Sequence, residues 1–436
     1  MDTPPIPNAL APMYMTAEPN DPIRLYKGPF SAVDDTGRSV TGDGTVDWSW
    51  QPHPTPSFAC SCQSGIAPSL TTTRLTITLG DTGITIPGLV TRLTLSGDIR
   101  GVLSGPPATG PDLPIKELIF HVPNYHTLYG LPVTYHGTDM AFCRLQLDTE
   151  DWRITLDAVE DWRTAGTDTL TSRAMAQSGN AISHVGLLTR ADGALFTLNA
   201  VREILECLRL FLSFSLGRWT APMLLVGVDS QGNHVSSDWS SGRIDPHVYQ
   251  RSWSALYPTQ RQSLPHAWQG FVKLWREWGP ALGVCLEWYL QANATSVSAT
   301  GVILSQTALE LLFWQIIGEP VLLGEVDQKL RFSDTLRLLL NACDISSAIP
   351  PTLSHLVTEA QKNNNRWVDG PHALNAVRNT FVHASKLSRA LDANFWAVEE
   401  VRQLALWYIE IVLLRKMGYT GHVSSRIDGN QVTPMP

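Results

Sequence analysis

Within AVRNTFVHASK (376–386) stand Arg378, Asn379 and, four residues after the asparagine, His383. These residue types could handle a phosphate. A guanidinium stays protonated and presents a flat fork of donors that matches phosphate oxygens. An imidazole titrates near neutrality and can take or give a proton. An amide between them can orient either group. The segment from about 371 to 388 reads as a helix, with Asp369 at its N-cap and Pro371 in its first turn. Leu374, Val377, Phe381 and Ala384 recur at spacings of 3, 4 and 3, which predicts the buried stripe. At about 100° per residue, Asn379 and His383 lie on the opposite side and neighbour each other. His372, Asn375 and Lys386 share that side, and Arg378 flanks it.

The alternative is a plain solvated helix face. Spacing alone does not decide, because Arg261 and His266 repeat the five-residue interval. There, however, Gln262 replaces the asparagine, Pro265 precedes the histidine, and the pair is expected at a helix start rather than within a helix. Local charge adds a second signal. Between Lys362 and Arg389 lie five basic residues (Lys362, Arg366, Arg378, Lys386, Arg389) and one acid, Asp369, a net +4 in a chain of −8. A basic island on an acidic protein suits a phosphate-binding patch, and Lys362, Arg366, His372, Lys386 and Arg389 are the candidate contacts. Glu310, on the polar side of an earlier helix, is a further acid that could enter the site or simply be solvated.

Something must position these residues, and the chain is long enough for two or three domains at 436 residues. Residues 1–23 carry six prolines and read as an arm with little regular structure. From 24 to 197 the hydrophobic period is two. TRLTITL (73–79), TRLTLSGDI (91–99), KELIFHV (116–122), AFCRLQL (141–147) and WRITLDAV (152–159) predict strands of an antiparallel sandwich or partly closed barrel. A helix over 198–217, ending at Gly217, and a hairpin over 222–235 complete a β-rich domain, 24–235. A polar connector follows, 236–262. The period then becomes 3.6 throughout 263–420, with a break expected at Gly279-Pro280 and a last helix of about 394–417 closed by Gly418. Residues 421–436 read as a flexible tail. The fold class is therefore α+β, an antiparallel β domain followed by an all-α bundle.

Composition narrows the function. The net charge of −8 argues against a general nucleic-acid coat. The start, MDTPPIP, gives no expectation of a secretory signal. No apolar run approaches the ~20 residues of a bilayer span; LALWYIEIVLL is interrupted by Glu410. No membrane association and a cytoplasmic location are expected. Of six cysteines only Cys60 and Cys62 are close, and a lone C-x-C fits reduced thiols better than a metal site. No metal and no cofactor are expected. Walker, H-E-x-x-H and G-x-S-x-G motifs are absent from the sequence. Trp48, Trp50, Tyr125, Tyr129 and Tyr135 could form a binding surface on the β domain or be core.

RNTFVH (378–383) resembles the Arg–polar–x-x-x–His motif of HEPN-domain ribonucleases. The wider layout, including LRLFLSFSLGRWTAPMLLVGVDSQGN (208–233), resembles the ApeA-like group of bacterial HEPN proteins, over about residues 20–420. The resemblance implies a helical HEPN bundle, metal-independent endoribonuclease activity, homodimerisation through that bundle and a role in abortive, anti-phage defence. A phage-derived trigger would act at the β domain. It assigns Arg378, Asn379 and His383 as catalytic. RNA supplies its own nucleophile, the 2′-hydroxyl, so His383 would act as general base or acid and Arg378 as the phosphate clamp, with Asn379 orienting one of them. Two other functions stay open: a catalytically silent HEPN dimerisation or nucleotide-binding module, and a protein whose β domain binds a sugar or a foreign protein.

Overall fold

A computed structural model describes residues 5–51, 53–65, 74–80, 84–94, 98–104, 112–163, 169–240, 242–254, 260–318, 330–362, 367–383, 394–429 and 431–436. The chain divides into two compact units: Met1–Arg209 with Thr220–Tyr249, and Leu210–Trp219 with Gln250–Pro436.

In the first unit, β1 (Ile23–Asp34), β2 (Ser39–Ser49), β3 (Thr55–Gly65), β4 (Arg74–Leu79), β5 (Ile84–Leu93) and β6 (Ile99–Leu103) close into an antiparallel barrel in the order β1-β2-β3-β6-β5-β4. The alternation read from the sequence is the cause. Phe30, Val46, Trp48, Phe58, Ile77 and Ile99 all point inward and are buried, while their neighbours along each strand face out. Closure removes free strand edges. At Gly42 the β2–β3 register shifts, and a Cβ there would sit 2.0 Å from the Ser61 carbonyl oxygen, so only glycine permits this approach.

Seven further strands form a separate, all-antiparallel sheet. They are β7 (Glu117–Pro123), β8 (Leu131–Tyr135), β9 (Asp139–Gln146), β10 (Trp152–Ala158), β11 (Ile182–Arg190), β12 (Met223–Val228) and β13 (His234–Asp238), in the order β13-β12-β7-β11-β10-β9-β8. Between strands lie α1 (Glu160–Arg163) and α2 (Leu170–Gln177), the latter started by a Thr169–Ser172 capping box. The sandwich-or-barrel expectation thus resolves into one closed barrel and one open sheet, which share a continuous core including Trp50, Trp162, Ile182 and Met223. Of the five aromatics considered as a binding surface, Trp48, Trp50, Tyr125 and Tyr135 are core residues; Tyr129 is half-buried and stacks on Phe142.

The proline-rich arm has no helix or strand from residue 5 to 22, yet it is held at many points. Asn8 bridges to Thr134 on the edge strand β8, with Ala9 N–H donating to Thr134 O at 2.9 Å and Thr134 N–H to Pro7 O at 2.9 Å. Leu10 N–H donates to Asp157 Oδ2 at 2.8 Å, a carboxylate also clamped by Arg144. Met13 and Tyr14 N–H both donate to His121 Nε2, each at 3.1 Å. The Nδ1 of His121 lies 3.1 Å from Leu224 O. Because Nε2 accepts, Nδ1 must carry the proton and donate to that carbonyl.

The helix α3 (Arg202–Leu216) begins in the first unit's sequence and ends in the second's. It follows a 3₁₀ turn, Asn199–Val201, and stops at Gly217, whose φ of +75° ends it in the left-handed conformation. The second unit continues with α4 (Gln260–Trp278) and α5 (Pro280–Ala294), broken at Gly279-Pro280 as expected. Then come α6 (Ser298–Phe313), α7 (Phe332–Ala342), α8 (Ser354–Gln361), α9 (Gly370–Val382) and α10 (Phe395–Lys416). One π turn, Trp314–Gly318, extends α6. Ser298–Gly318 is 21 residues, long and apolar enough to cross a membrane by length and composition. The expectation that no segment reaches that length is corrected here; serine, threonine and glutamine disguised it. Half of that stretch is buried, and α6 packs against α5, α7, α9 and α10, as a core helix does.

The central helix is α10. Its run Leu404–Leu414 is buried on every side because α4, α5, α6, α8 and α9 all pack on it. The segment expected as a flexible tail is instead tied to this unit. Strands β14 (His422–Ser424) and β15 (Val432–Pro434) pair, Val423 is buried, and Ser424 N–H donates to Trp253 O at 2.9 Å. Arg426 anchors it in the core, as described below.

Candidate active site

Helix α9 starts at Asp369, whose side chain accepts from His372 N–H at 2.9 Å. The same carboxylate receives a two-point grip from Arg337, Nε at 2.6 Å and Nη2 at 3.0 Å, and Arg337 reaches Asp334 as well. The helix start is thus braced to α7. Ala373, Leu374 and Val377 are its buried stripe; Phe381 is only half-buried. Arg378 Nη1 donates to Asn379 Oδ1 at 3.1 Å, and Asn379 Nδ2 donates to Asn375 Oδ1 at 3.2 Å. The amide chain therefore lies along one face and holds the guanidinium from its side. Among the described residues Arg378 meets no carboxylate, which leaves its fork open to an anion.

His383 departs from the expectation. The last helical residue is Val382, and His383 is the C-cap, with extended φ −98° and ψ 115°. It is exposed and, among the described residues, makes no hydrogen bond. Arg261 stands at the start of α4, as expected, and His266 follows inside that helix, whereas the histidine of the motif stands just outside its own. His266 is exposed with its ring against Tyr419. His383 therefore stands outside the helix that carries the Arg378–Asn379 pair, with its side chain exposed.

The supporting residues divide. His372 occupies the first turn of α9, eleven residues before His383, roughly 16 Å away along the axis, so it does not join His383. Lys362 is ion-paired with Glu359. The charge count that began at Lys362 left out that acid three residues upstream. Arg366, Lys386 and Arg389 lie outside the described residues. Glu310 is exposed and accepts from Gln306 Nε2 at 2.8 Å on its own helix.

The sequence reading missed a buried network in the same unit. Glu410 and Arg426 are 0% and 3% exposed. Arg426 Nε donates to Glu410 Oε1 at 2.9 Å, and its Nη2 reaches Tyr289 Oη at 3.2 Å and Arg251 O at 2.6 Å. Tyr289 Oη donates to the same Glu410 oxygen. Burial, then the Glu410 charge, pushes the Tyr289 phenol well up. Arg426 is held protonated by Glu410 and Tyr289 against the opposing effect of burial. Glu410 itself was the available signal: a carboxylate inside an apolar run needs a partner. In the first unit, burial lowers His121 to about 4, and burial reinforced by His126 lowers His184 to about 3. Burial also pushes the Cys60 thiol up to about 12. Among the described residues no cluster of histidine, cysteine and carboxylate side chains could hold a metal.

What fold and site define is a two-unit α+β chain whose helical unit is built around a central helix and carries an Arg-Asn-x-x-x-His segment. Residues 110–250 match the family model of the YopA central domain, and residues 276–435, which include the motif, match that of the YopA C-terminal domain. The chain is 27% identical over 436 residues to the SPβ prophage-derived uncharacterized protein YopA of Bacillus subtilis (strain 168), covering 96% of this chain and 95% of that protein. No solved structure matches it.

Proposed function

We propose that the chain is a metal-independent endoribonuclease whose reaction is carried by Arg378, Asn379 and His383 in a HEPN-like helical domain. The observation that carries this is the open guanidinium of Arg378, held by Asn379 and free of carboxylates among the described residues, five positions before an exposed histidine. The 2′-hydroxyl attacks the adjacent phosphorus, so a P–O2′ bond forms as the P–O5′ bond breaks. A base takes the 2′ proton and an acid returns one to the departing 5′ oxygen, leaving a 2′,3′-cyclic phosphate and a 5′-hydroxyl. His383 serves as one of these two groups, and Arg378 binds the charge that grows on the phosphate oxygens. The prophage origin of the Bacillus relative fits a role in conflict between phages and bacterial hosts, with the β-rich unit as sensor.

A homodimer would supply the second histidine. Its apolar surface would come from Phe395 and Trp396, each 59% exposed at the start of α10, because Trp407 and Tyr408 are core. Wild-type protein should cleave total RNA in EDTA, and His383→Ala should lower the rate by ~10²-fold, the typical cost of losing a general acid–base group. Arg378→Lys should also cleave poorly, since a point charge does not replace a planar fork. Full activity in both variants ends the assignment, and a strict Mg²⁺ requirement redirects it. Dimers of one His383→Ala and one wild-type chain should lose far more than half the activity; proportional loss rules out a shared site.

A further inference from the structure

The barrel carries a groove of about 450 Å³ on its outer wall, across β1, β2, β3 and β6. Strand register explains its shape. Lys27 pairs with Thr45, Thr45 with Ala59, and Ala59 with Arg100, so these four form one outward-facing row with a cation at each end and small side chains between. The adjoining row runs Gly28, Gly44 and Cys60; Gly44 and Cys60 are buried and turned inward, so the floor there is backbone. The next outward row carries Asp43, Ser61 and Asp98. Asp43 accepts from Gln63 Nε2 at 2.7 Å and Asp98 from Ser61 Oγ at 2.7 Å. Lys27 and Arg100 are exposed and, among the described residues, pair with no carboxylate.

Three strand spacings put Lys27 and Arg100 roughly 14 Å apart at Cα. Each side chain spans roughly 6–7 Å, so both heads can converge on one anion above Thr45 and Ala59. Two residues further along the strands, about 7 Å away, the fixed carboxylates offer acceptors to hydroxyl groups. We propose that this groove binds the phosphate ester of a hydroxyl-rich group, a ribose phosphate, with the phosphate between Lys27 and Arg100 and the sugar hydroxyls toward Asp43 and Asp98. The charges are separated by row, so a bare anion satisfies only half the site. A ribose phosphate satisfies both halves, whether it belongs to a free nucleotide or to a nucleic-acid backbone.

The test is calorimetric titration of the full-length His383→Ala chain, so that cleavage plays no part, with three probes: inorganic phosphate, adenosine 5′-monophosphate and a single-stranded hexauridylate. The nucleotide or the oligomer should bind more tightly than inorganic phosphate. The double variant Lys27→Glu/Arg100→Glu should weaken that binding about tenfold or more, as expected for lost charged donors. Asp43→Asn should shrink the preference over inorganic phosphate. Tighter binding of the monophosphate identifies a free nucleotide as the ligand, and tighter binding of the oligomer identifies an RNA strand. All exchanged side chains are on the surface, and near-ultraviolet dichroism checks that the barrel is intact. Absence of saturable binding up to millimolar concentration, or binding unchanged in the double variant, overturns the proposal. Neither result bears on cleavage at His383.

Discussion

Arg426→Met should be severely destabilising although the residue lies beyond the last helix, between the short strands β14 and β15. The wild-type guanidinium donates to Glu410, Tyr289, Gln403 and Arg251 O from a position 3% exposed. Methionine fills part of the volume but leaves Glu410 as an uncompensated carboxylate with no exposure and with its Oε2 already lacking a partner. Removing one member of a buried ion pair costs about 3–5 kcal/mol. In a unit of this size each kcal/mol moves the midpoint by about 2–4 °C, so a fall on the order of 10 °C is expected. Thermal unfolding followed by calorimetry measures it, and faster hydrogen exchange at the Ser424 amide, bonded to Trp253 O, reports the local release. The triple variant Arg426→Met/Glu410→Leu/Tyr289→Phe, which removes the guanidinium, the carboxylate and the phenol together, should recover most of the loss, because replacing a buried pair by apolar groups is often neutral. If Arg426→Met stays within about 1 kcal/mol of wild type, or the triple variant is worse than the single one, the burial of this network is not as described.

Acid should weaken the β-rich unit. His121 and His184 hold folded pKa values of about 4 and about 3, below the unfolded value near 6.5, so the unfolded chain binds more protons; stability is full above about pH 6.5 and falls progressively toward pH 4. Thermal midpoints of wild type and His121→Gln across that range check this, and a slope unaltered by the substitution refutes it. A fragment beginning at residue 236 should not fold cooperatively, because it lacks Leu210–Trp219, where Phe211 packs on Trp268 and Phe271, and Phe214 on Trp253 and Tyr289; one beginning at 198 should give a sharp melting transition. Gly42→Ala should destabilise the barrel by about 1–3 kcal/mol in denaturant titration, because its Cβ would strike the Ser61 carbonyl.

Local chemistry was legible and long-range closure was not. Asp369 and Pro371 announced the start of α9, Gly217 and Gly418 the ends of α3 and α10, and strand alternation the β region, because each depends on a few adjacent residues. The barrel order β1-β2-β3-β6-β5-β4 depends on pairing β1 with β4, which no local pattern encodes. The same gap turned Trp48 and Trp50 from surface candidates into core. At the motif, FVHASK contains no glycine or proline, so nothing in it marks the helix end that leaves His383 as a cap. The tail looked flexible because its anchor, Arg426, finds its partner on a helix laid down earlier in the chain.

The arm precedes in the chain the partners that hold it, so it is among the last segments able to settle. Its partners stand far downstream: Leu10 waits for Asp157, Tyr14 for His121, Thr16 for Ile182 and Asn20 for Asn180. At roughly 5–20 residues per second, that is a delay on the order of ten seconds or more between synthesis of the arm and completion of its berth. During that interval β8, once formed, exposes an unpaired edge to neighbouring chains. The proline-rich composition of the arm keeps it from seeking other strands meanwhile. Crowded translation should therefore be more hazardous to this protein than dilute refolding, and a chaperone that engages nascent chains early should matter more to its yield than its final stability does.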